Sequence, residues 1–248
     1  MDKYGLIGFP LGHSFSAKYF NNKFATEGID AEYVNFETKE ISKVRDIVAQ
    51  NKSLKGLNIT IPHKEGVMPF LDNLSDNAKE IGAVNTIKVV RDADGEFTLE
   101  GFNTDYIGFR KSIEPLIDSN IHTRALVMGT GGASKAVVKA LEDMNINWKY
   151  VSRSEGSNRI TYNDIDKYII DSHKVIINCS PLGTYPKTDE CPDLPYDFID
   201  SNHLLYDLVY NPAETLFLKK GKEKGATTKN GAEMLELQAL AAWEIWNS

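Results

Sequence analysis

The sequence predicts an α/β protein built from two domains. Its length of 248 residues exceeds the usual size of one domain and is sufficient for two. Short apolar runs of strand length alternate with stretches of helical periodicity along the whole chain, as in layered α/β folds. Near the middle, an apolar run leads directly into a glycine-rich turn and a helix, so a second layered structure is expected to begin there.

Composition and charge restrict the class of protein. Apolar residues make up 42% and charged residues 25%, and the formal net charge of −7 disfavours a general nucleic-acid binder. Cys179 and Cys191 lack metal-ligand spacing and form no disulfide framework, so we expect a reducing compartment and no metal. With no signal peptide and no apolar run of about 18 residues, the expected location is the cytoplasm, with no membrane partner.

The first strand and the first helix flank a turn with two serines. The apolar pattern predicts a strand at residues 3–9 and a helix through residues 19–26. Ser14 or Ser16, between them, can simply cap the helix. Two hydroxyls at the positive end of a helix also suit a small carboxylate, so both interpretations stay open.

The stretch from residue 56 to residue 64 is the most informative part of the first half. Apolar and polar residues alternate at positions 57–61, which is the pattern of a half-buried strand. Pro62 cannot donate to a sheet ladder, so the strand should end there. Such a strand delivers Asn58, Thr60 and Lys64 to its carboxyl end, where open α/β sheets present ligand-binding groups. The alternative is an ordinary solvated lysine after a strand.

The other elements of the first half continue the alternation of strand and helix. We predict strands at 31–36, 87–90 and 97–99, and helices at 41–49, 76–81 and 106–117. Gly82 should end the second of these helices. Asp105 precedes the third helix, either as its N-cap or as a carboxylate presented at a strand end.

The second half opens with a strand, a glycine turn and a helix. A buried strand at 125–128 is followed by the sequence GTGGAS at 129–134 and by a helical run. Glycines let the backbone approach a pyrophosphate closely, and the amino end of the helix supplies unpaired N–H groups. Because both flanks of the turn are of the right type, the pattern favours a dinucleotide site over a structural turn.

The residue after the next strand selects the kind of dinucleotide. The predicted strand at 148–151 ends at Ser152, Arg153 and Ser154. An NAD-binding fold places an acidic residue here for the ribose 2′-hydroxyl, whereas a guanidinium pairs with a 2′-phosphate. Arg153 therefore predicts NADP(H), against the alternative of a surface arginine.

Further strands and helices complete the second half. We predict strands at 174–177, 204–206 and 226–229, a helix at 215–224 and a final helix after Gly231. The apolar face of the final helix is expected to comprise Met234, Leu237, Ala241 and Ile245. Gln238 lies at the edge of that face, where a partly buried glutamine is the simplest interpretation.

Together these motifs resemble the shikimate dehydrogenase family over nearly the whole chain. The residues that carry the resemblance are Gly8, Pro10, His13, Ser14 and Ser16; Asn58, Thr60, Pro62 and Lys64; Ala83, Asn85 and Thr86; and Gly101, Asn103, Thr104 and Asp105. The glycine turn, the segment at 207–212 and the start of the last helix complete the set. No single motif is specific, but this order and spacing are.

The resemblance implies a reaction and the residues that carry it out. The reaction is the NADPH-dependent reduction of 3-dehydroshikimate to shikimate, a step of aromatic amino acid biosynthesis. Lys64 and Asp105 are implied as the catalytic pair, and Ser14 and Ser16 as ligands of the substrate carboxylate. The residues implied to contact ring hydroxyls or line their pocket are Asn58, Thr60, Asn85, Asp105, Tyr210 and Gln238.

The resemblance also implies the residues along NADP(H). They are Gly129, Gly131, Gly132, Ala133, Ser152, Arg153, Ser154, Ser180, Leu208 and Gly231. The family commonly has asparagine where Ser152 stands, and a second basic residue nearer to the arginine than Arg159 is. These departures concern the 2′-phosphate and leave the catalytic pair untouched.

We therefore expect an N-terminal α/β substrate-binding domain at 1–104 and a Rossmann-type NADP-binding domain at 105–230. The final helix, 231–248, is expected to pack back on the first domain, with the site in the cleft between the domains. The expected partner is the small-molecule substrate, without nucleic acid, and the protein is expected to be a monomer or homodimer. Two alternatives stay open: a quinate or dual quinate/shikimate dehydrogenase that uses NAD or both cofactors, and a non-catalytic ligand-binding homologue.

Overall fold

The computed structural model describes residues 1–12, 15–154 and 156–248. The chain forms two compact units. The first comprises Met1–Thr104 and Ala239–Ser248, and the second comprises Asp105–Gln238. The final helix is thus shared, because residues before Ala239 belong to the second unit and the rest to the first.

The first unit is a mixed sheet with helices against it. Its strands are β1 (Asp2–Gly8), β2 (Ala31–Glu37), β3 (Leu54–Ile59), β4 (Asn73–Leu74), β5 (Thr86–Arg91) and β6 (Phe97–Phe102). Its own helices are α1 (Phe15–Glu27), α2 (Val44–Gln50) and α3 (Asp76–Ile81). The strand order is β2-β1-β3-β5-β6-β4, with β1 parallel to β2 and β3, and with β5 antiparallel to β3 and β6.

Strand β3 lies inside this sheet and is buried on both faces. The expected half-buried alternation is wrong, because every residue from Gly56 to Ile59 is buried. Ile61, predicted to continue the apolar face, is instead 73% exposed. The strand ends at Ile59, before Pro62, so the apolar side chain beyond it has left the sheet.

Two apolar clusters cover the two faces of the sheet. One cluster contains Leu57 and Ile87 together with Val44 and Val48 of α2. The other is rich in aromatic residues and contains Tyr4, Leu6, Phe20, Phe24, Tyr33, Ala239, Ala242 and Trp246. Because the second cluster draws on residues beyond 238, the end of the chain completes the core of the first unit.

Trp246 packs directly on the backbone of β3. A Cβ added at Gly56 would overlap the indole ring, so only glycine leaves room there. The indole Nε1 donates to the carbonyl of Ile87, 3.0 Å away, and the ring stacks on Tyr4 with centroids 4.9 Å apart. One residue thus joins β1, β3 and β5.

We expect Gly56→Ala to lower the free energy of unfolding by about 1–3 kcal/mol, because the new methyl overpacks against the indole. Urea denaturation measures the change. Gly66→Ala is the matched control, since the nearest atom to its added Cβ is Ile41 Cγ2 at 3.5 Å, an ordinary contact. Equal stabilities for the two variants would contradict the assigned packing.

The second unit is a parallel sheet with helices connecting its strands. Its elements begin with α4 (Thr104–Ile113), whose first residue belongs to the first unit. They continue with β7 (Arg124–Met128), α5 (Gly132–Asp143), β8 (Asn147–Ser152), β9 (Arg159–Thr161), α6 (Lys167–Ser172), β10 (Val175–Asn178), β11 (Leu204–Asp207), α7 (Leu216–Glu223), β12 (Thr227–Lys229) and α8 (Ala232–Asn247). The order is β12-β11-β10-β7-β8-β9, and all neighbouring strands are parallel. This is the doubly wound order of dinucleotide-binding sheets, which confirms the predicted fold class.

Several elements differ from the sequence-based expectation. Strand β9 and helix α6 were not predicted, because neither exceeds six residues and the flanking sequence is polar. Helix α4 ends at Ile113, not at 117, because a 3-10 turn that contains Pro115 follows it. A 3-10 turn, Ile41–Lys43, likewise precedes α2.

The buried face of α8 is centred one position away from the predicted one. Met234 and Ala241 are buried as expected, but Leu237 and Ile245 are only partly buried. Gln238, Ala242 and Trp246 lie inside the buried face. Gln238 therefore lies at the centre of the buried face of α8. The expectation that it lies at the edge of that face, as polar residues usually do, is wrong.

Candidate functional site

The carboxyl ends of β7 and β10 meet at the point where the strand order of the second sheet reverses. Open α/β sheets bind ligands in the crevice at such a point. Gly129 follows β7 with a φ of +100°, a conformation that favours glycine. A Cβ added there would lie 3.2 Å from the carbonyl carbon of Cys179, so the turn packs on the loop that follows β10.

The glycine turn presents backbone at the start of α5. Gly131 precedes the helix, and a Cβ added to it would meet no atom within 4 Å. Ser134 is fully buried, and its Oγ donates to the carbonyl of Gly131 at 2.7 Å. The small side chain thus fastens the turn to the helix. Open space over a helix amino end fits the pyrophosphate of a dinucleotide.

Arg153 lies at the tip of a tight turn after β8. The Oγ of Ser152 donates to the carbonyl of Ser154 at 2.5 Å and accepts its N–H at 3.3 Å. Ser152 and Ser154 thus bond to each other, while the guanidinium is exposed. Arg159 is exposed on β9, opposite Tyr150 of β8. Both arginines follow the strand that ends at the adenosine side of a doubly wound sheet.

Buried side chains fix the loops after β10 and β11. Asn178 ends β10, and its Oδ1 accepts from the N–H and the hydroxyl of Ser180, at 3.0 Å and 2.6 Å. Its carbonyl accepts the N–H of Leu208 at 2.9 Å. Gly231 lies against Leu208 so closely that any added Cβ would overlap the Leu208 carbonyl. The predicted cofactor residues Ser180, Leu208 and Gly231 are thus placed by neighbouring loops.

Asp207, the last residue of β11, is fully buried. Its Oδ1 accepts from Asn178 Nδ2 and from the N–H of Val209, both at 3.0 Å, and its Oδ2 accepts the Thr215 hydroxyl at 2.6 Å. Burial raises the pKa of Asp207 to about 6, and these hydrogen bonds oppose the shift. One signal in the sequence points to this residue, a carboxylate directly after an apolar strand.

Asp105 and Gln238 belong to helices that cross closely in the second unit. Helix α4 begins at Thr104, so Asp105 lies in its first turn and is not the N-cap. Asp105 is buried there, where the helix dipole favours a negative charge. A Cβ added at Gly108 would lie 3.0 Å from the Cβ and the N of Gln238. Because Gly108 is three residues after Asp105, the crossing lies on the same side of α4 as the carboxylate.

In the first unit, Asn58 and Asn85 belong to a buried polar network. The Tyr33 hydroxyl donates to Asn58 Oδ1 at 2.8 Å, and Asn58 Nδ2 donates to Thr86 Oγ1 at 3.2 Å. Asn85 Oδ1 accepts the N–H of Thr104 at 2.6 Å, and Asn85 Nδ2 donates to its hydroxyl at 3.0 Å. Both amides are therefore held by protein partners. Nothing in the sequence predicts Tyr33 as a member of this network, because its strand, β2, shows no polar motif.

Lys64 and Thr60 follow β3 in the same unit. Thr60 packs against β1, because a Cβ added at Gly8 would overlap its methyl group, and its N–H donates to the Ile7 carbonyl at 2.9 Å. Lys64 is partly buried, and its carbonyl accepts the N–H of Val84 at 2.8 Å. His63 is buried, with Nε2 2.7 Å from the carbonyl of Thr38, which is a structural position.

Of the two serines predicted to bind the substrate carboxylate, one lies in the part of the chain that the structure describes. Ser16 lies in the first turn of α1 and forms a side-chain hydrogen bond with Tyr33, which links it to the network of Asn58. Ser14 and His13 lie outside the described residues. Tyr210, in the second unit, is 42% exposed in the loop after β11.

No metal site and no membrane span is found in the described parts of the chain. Among residues 1–12, 15–154 and 156–248, no group of three or more histidine, cysteine and carboxylate side chains is arranged to hold a metal ion. Within the same ranges, no helix combines the length and the apolar character that a bilayer crossing requires.

The doubly wound sheet, the glycine turn at its reversal point and the arginine after its second strand define a dinucleotide-dependent α/β enzyme. A basic residue at that strand end indicates the phosphorylated dinucleotide. The first unit adds a separate set of buried polar groups at strand ends, of the kind that orients a polar small molecule.

Comparisons with known proteins agree with this class. Residues 6–87 match the family model described as the shikimate dehydrogenase substrate binding domain. A relative from Methanosphaera stadtmanae, named shikimate dehydrogenase (NADP(+)), is 39% identical over 98% of this chain and 90% of its own length. The chain belongs to the shikimate dehydrogenase family.

Solved structures agree over the whole chain. A chorismate mutase/shikimate 5-dehydrogenase fusion protein from Clostridium acetobutylicum has a TM-score of 0.86 and 38% identity, covering 100% of this chain and 91% of its own. Shikimate 5-dehydrogenase from Thermus thermophilus, solved in complex with NADP(H) and shikimate, has a TM-score of 0.82 and 27% identity, covering 99% and 93%.

Proposed function

We propose that the protein reduces 3-dehydroshikimate to shikimate with NADPH, as an NADP-dependent shikimate dehydrogenase of the shikimate pathway. The observation that carries this proposal is the identity of 39% over 98% of the chain with an enzyme named for that activity and cofactor. The relatives do not favour the alternative of a quinate or NAD-dependent enzyme, or that of a non-catalytic homologue. Location in the cytoplasm and a monomeric or homodimeric state belong to the same proposal.

Lys64 acts on the carbonyl oxygen of the substrate. When bound, NADPH supplies the hydride, and the protein supplies orientation and electrostatics. The carbonyl oxygen gains negative charge during reduction. The Lys64 ammonium, held after the rigid strand β3, stabilises that charge and delivers a proton to the oxygen.

Asp105 completes the pair assigned by the resemblance. As the resemblance implies, its carboxylate holds the Lys64 ammonium in position. Asp105 also accepts a hydrogen bond from a ring hydroxyl next to the reacting carbon. Its buried place in the first turn of α4 fixes its orientation.

The other polar residues orient the substrate. Ser14 and Ser16 bind the carboxylate, and Asn58, Thr60, Asn85, Tyr210 and Gln238 contact the ring hydroxyls or line their pocket. The network around Asn58 and Asn85 supports this role, because amides with fixed partners present their remaining hydrogen-bonding atoms in one direction. A pocket of this kind rejects an analogue that lacks a hydroxyl, since a buried partner is then left unpaired.

The cofactor residues lie at the carboxyl ends of strands of the second sheet. Gly129, Gly131, Gly132 and Ala133 approach the pyrophosphate, and Ser152, Arg153 and Ser154 meet the 2′-phosphate of the adenosine half. Ser180, Leu208 and Gly231 lie along the nicotinamide half. The open space over Gly131 and the exposed guanidinium of Arg153 support this assignment.

A direct assay tests the proposed function. We expect the purified protein to reduce NADP⁺ when shikimate is added, with a rise in absorbance of the reduced nicotinamide. Parallel reactions replace NADP⁺ with NAD⁺ and shikimate with quinate, and both should be slower. Equal rates with quinate or NAD⁺ would favour the dual-specificity alternative. If no mixture showed reduction, the non-catalytic ligand-binding homologue would be the remaining alternative.

A further inference from the structure

The buried carboxylate of Asp207 lies on the nicotinamide side of the dinucleotide site. In a doubly wound sheet the adenosine ribose is bound after the second strand, here β8, on one side of the reversal point. The nicotinamide half therefore lies over the other side, formed by β10, β11 and β12. Asp207 ends the middle strand of these three. This placement rests on the proposed function.

Neutral N–H and O–H groups donate the three hydrogen bonds that the Asp207 carboxylate accepts. Asn178, Val209 and Thr215 donate to it, and no cation of the described chain is among the causes of its shifted pKa. An ionised carboxylate that is buried with neutral donors creates a negative field over distances at which an exposed charge would be screened. The loops that it fixes, after β10 and β11, carry the predicted nicotinamide contacts Ser180 and Leu208.

The oxidation states of the cofactor differ by one positive charge on the nicotinamide ring, which is present in NADP⁺ and absent in NADPH. A negative field on that side of the site acts on the first and not on the second. We propose that Asp207 sets the preference of the site for the oxidised cofactor, by placing a buried negative charge beside the nicotinamide half. It is a specificity-determining residue that acts at a distance from the reacting atoms.

Titration of Asp207 gives the proposal a signature in the unmodified protein. Above about pH 6 the carboxyl is ionised, and below it the carboxyl is neutral. The titratable groups that respond to its charge are Cys179 and Tyr196, and burial raises the pKa of both well above neutrality. They stay uncharged from pH 5 to pH 8. Of these three side chains, Asp207 is therefore the one whose charge changes in this range.

The ratio of two dissociation constants isolates this effect. The 2′-phosphate of the cofactor also titrates, with a second pKa of about 6, but it is common to both oxidation states and cancels in the ratio. We expect the ratio of the Kd of NADPH to the Kd of NADP⁺ to fall on the order of tenfold from pH 8 to pH 5, with a midpoint near 6. Two unit charges about 10 Å apart at an effective dielectric constant of about 20 give an effect of that order.

Variants separate the charge of Asp207 from its hydrogen bonds. Asp207→Asn removes the charge, so we expect NADP⁺ affinity to fall on the order of tenfold relative to NADPH, with a ratio that no longer depends on pH. Thr215→Val removes one donor to the charged form, so the midpoint of the ratio should move to higher pH. Asp197→Asn is the matched control, since that side chain is 89% exposed and pairs with Lys224.

The decisive experiment is calorimetric titration of the full chain with NADP⁺ and with NADPH, without shikimate, from pH 5 to pH 8. A ratio independent of pH in the unmodified protein, or equal weakening of both nucleotides by Asp207→Asn, would overturn the proposal. If Asp207→Asn fails to fold by circular dichroism, the pH series of the unmodified protein decides alone. Absence of binding by either nucleotide would instead refute the proposed function, and the inference with it.

Discussion

Lys64→Ala is expected to reduce turnover by about 10²–10⁴-fold while shikimate still binds. Removal of a positioned acid–base group typically has an effect of this size. The loss should appear in kcat, because the ammonium acts on charge that develops only as the hydride arrives. Steady-state kinetics with 3-dehydroshikimate and NADPH, together with equilibrium binding of shikimate, measure the two effects separately.

Lys55→Ala provides the matched control for this experiment. Lys55 lies on the same strand, β3, but is exposed, so its loss changes the net charge equally without touching the site. We expect its turnover to match the unmodified protein. If Lys64→Ala kept full turnover, or if Lys55→Ala lost as much, the assignment of Lys64 to catalysis would be wrong.

Arg153→Ala is expected to weaken NADP⁺ binding by about 10–150-fold and to leave NAD⁺ binding nearly unchanged. A hydrogen bond to a charged group contributes about 1.5–3 kcal/mol, and the guanidinium meets a phosphate that NAD⁺ lacks. The exposed position of Arg153 at the end of β8 leaves it available to that phosphate. Kd values for the two nucleotides, measured at one salt concentration, give the change in preference.

Two further variants define what Arg153 contributes. Arg153→Lys keeps the charge but loses the planar, bidentate geometry, so an intermediate loss is expected. Arg124→Ala removes an exposed arginine at the amino end of β7. This end of the strand is opposite to the carboxyl end where the cofactor site lies, so neither affinity should change. A uniform loss for NADP⁺ and NAD⁺ in Arg153→Ala would assign the residue to the turn and not to the 2′-phosphate.

Much of the fold was predictable because its strands are short apolar runs with glycine or polar residues at their ends. Strands β7, β10 and β11 are continuous apolar runs, and each was found within one residue of its bounds. The polar–apolar pattern failed at β3, where a buried network accommodates Asn58 inside the sheet. A pattern of side-chain types cannot distinguish a solvated amide from one that is buried with partners.

The candidate site was predictable where a motif is contiguous and not where it depends on distant partners. The glycine turn and Arg153 each follow a strand in the sequence, so their positions followed from it. Tyr33 and Asn58 are 25 residues apart, and Thr215 and Asp207 are on different elements. Contacts of this kind depend on strand order and register, which only the folded chain defines.

The shared helix α8 has a consequence for the order in which the protein can mature on the ribosome. Chains emerge from the amino end, and domains generally fold as units while synthesis proceeds. Here the aromatic cluster of the first unit needs Ala239, Ala242 and Trp246, which are translated after the whole of the second unit. The apolar face of the nascent first unit therefore stays uncovered while the second unit is synthesised and folds. A translational pause before codon 239 would lengthen the time during which chaperones can bind that face.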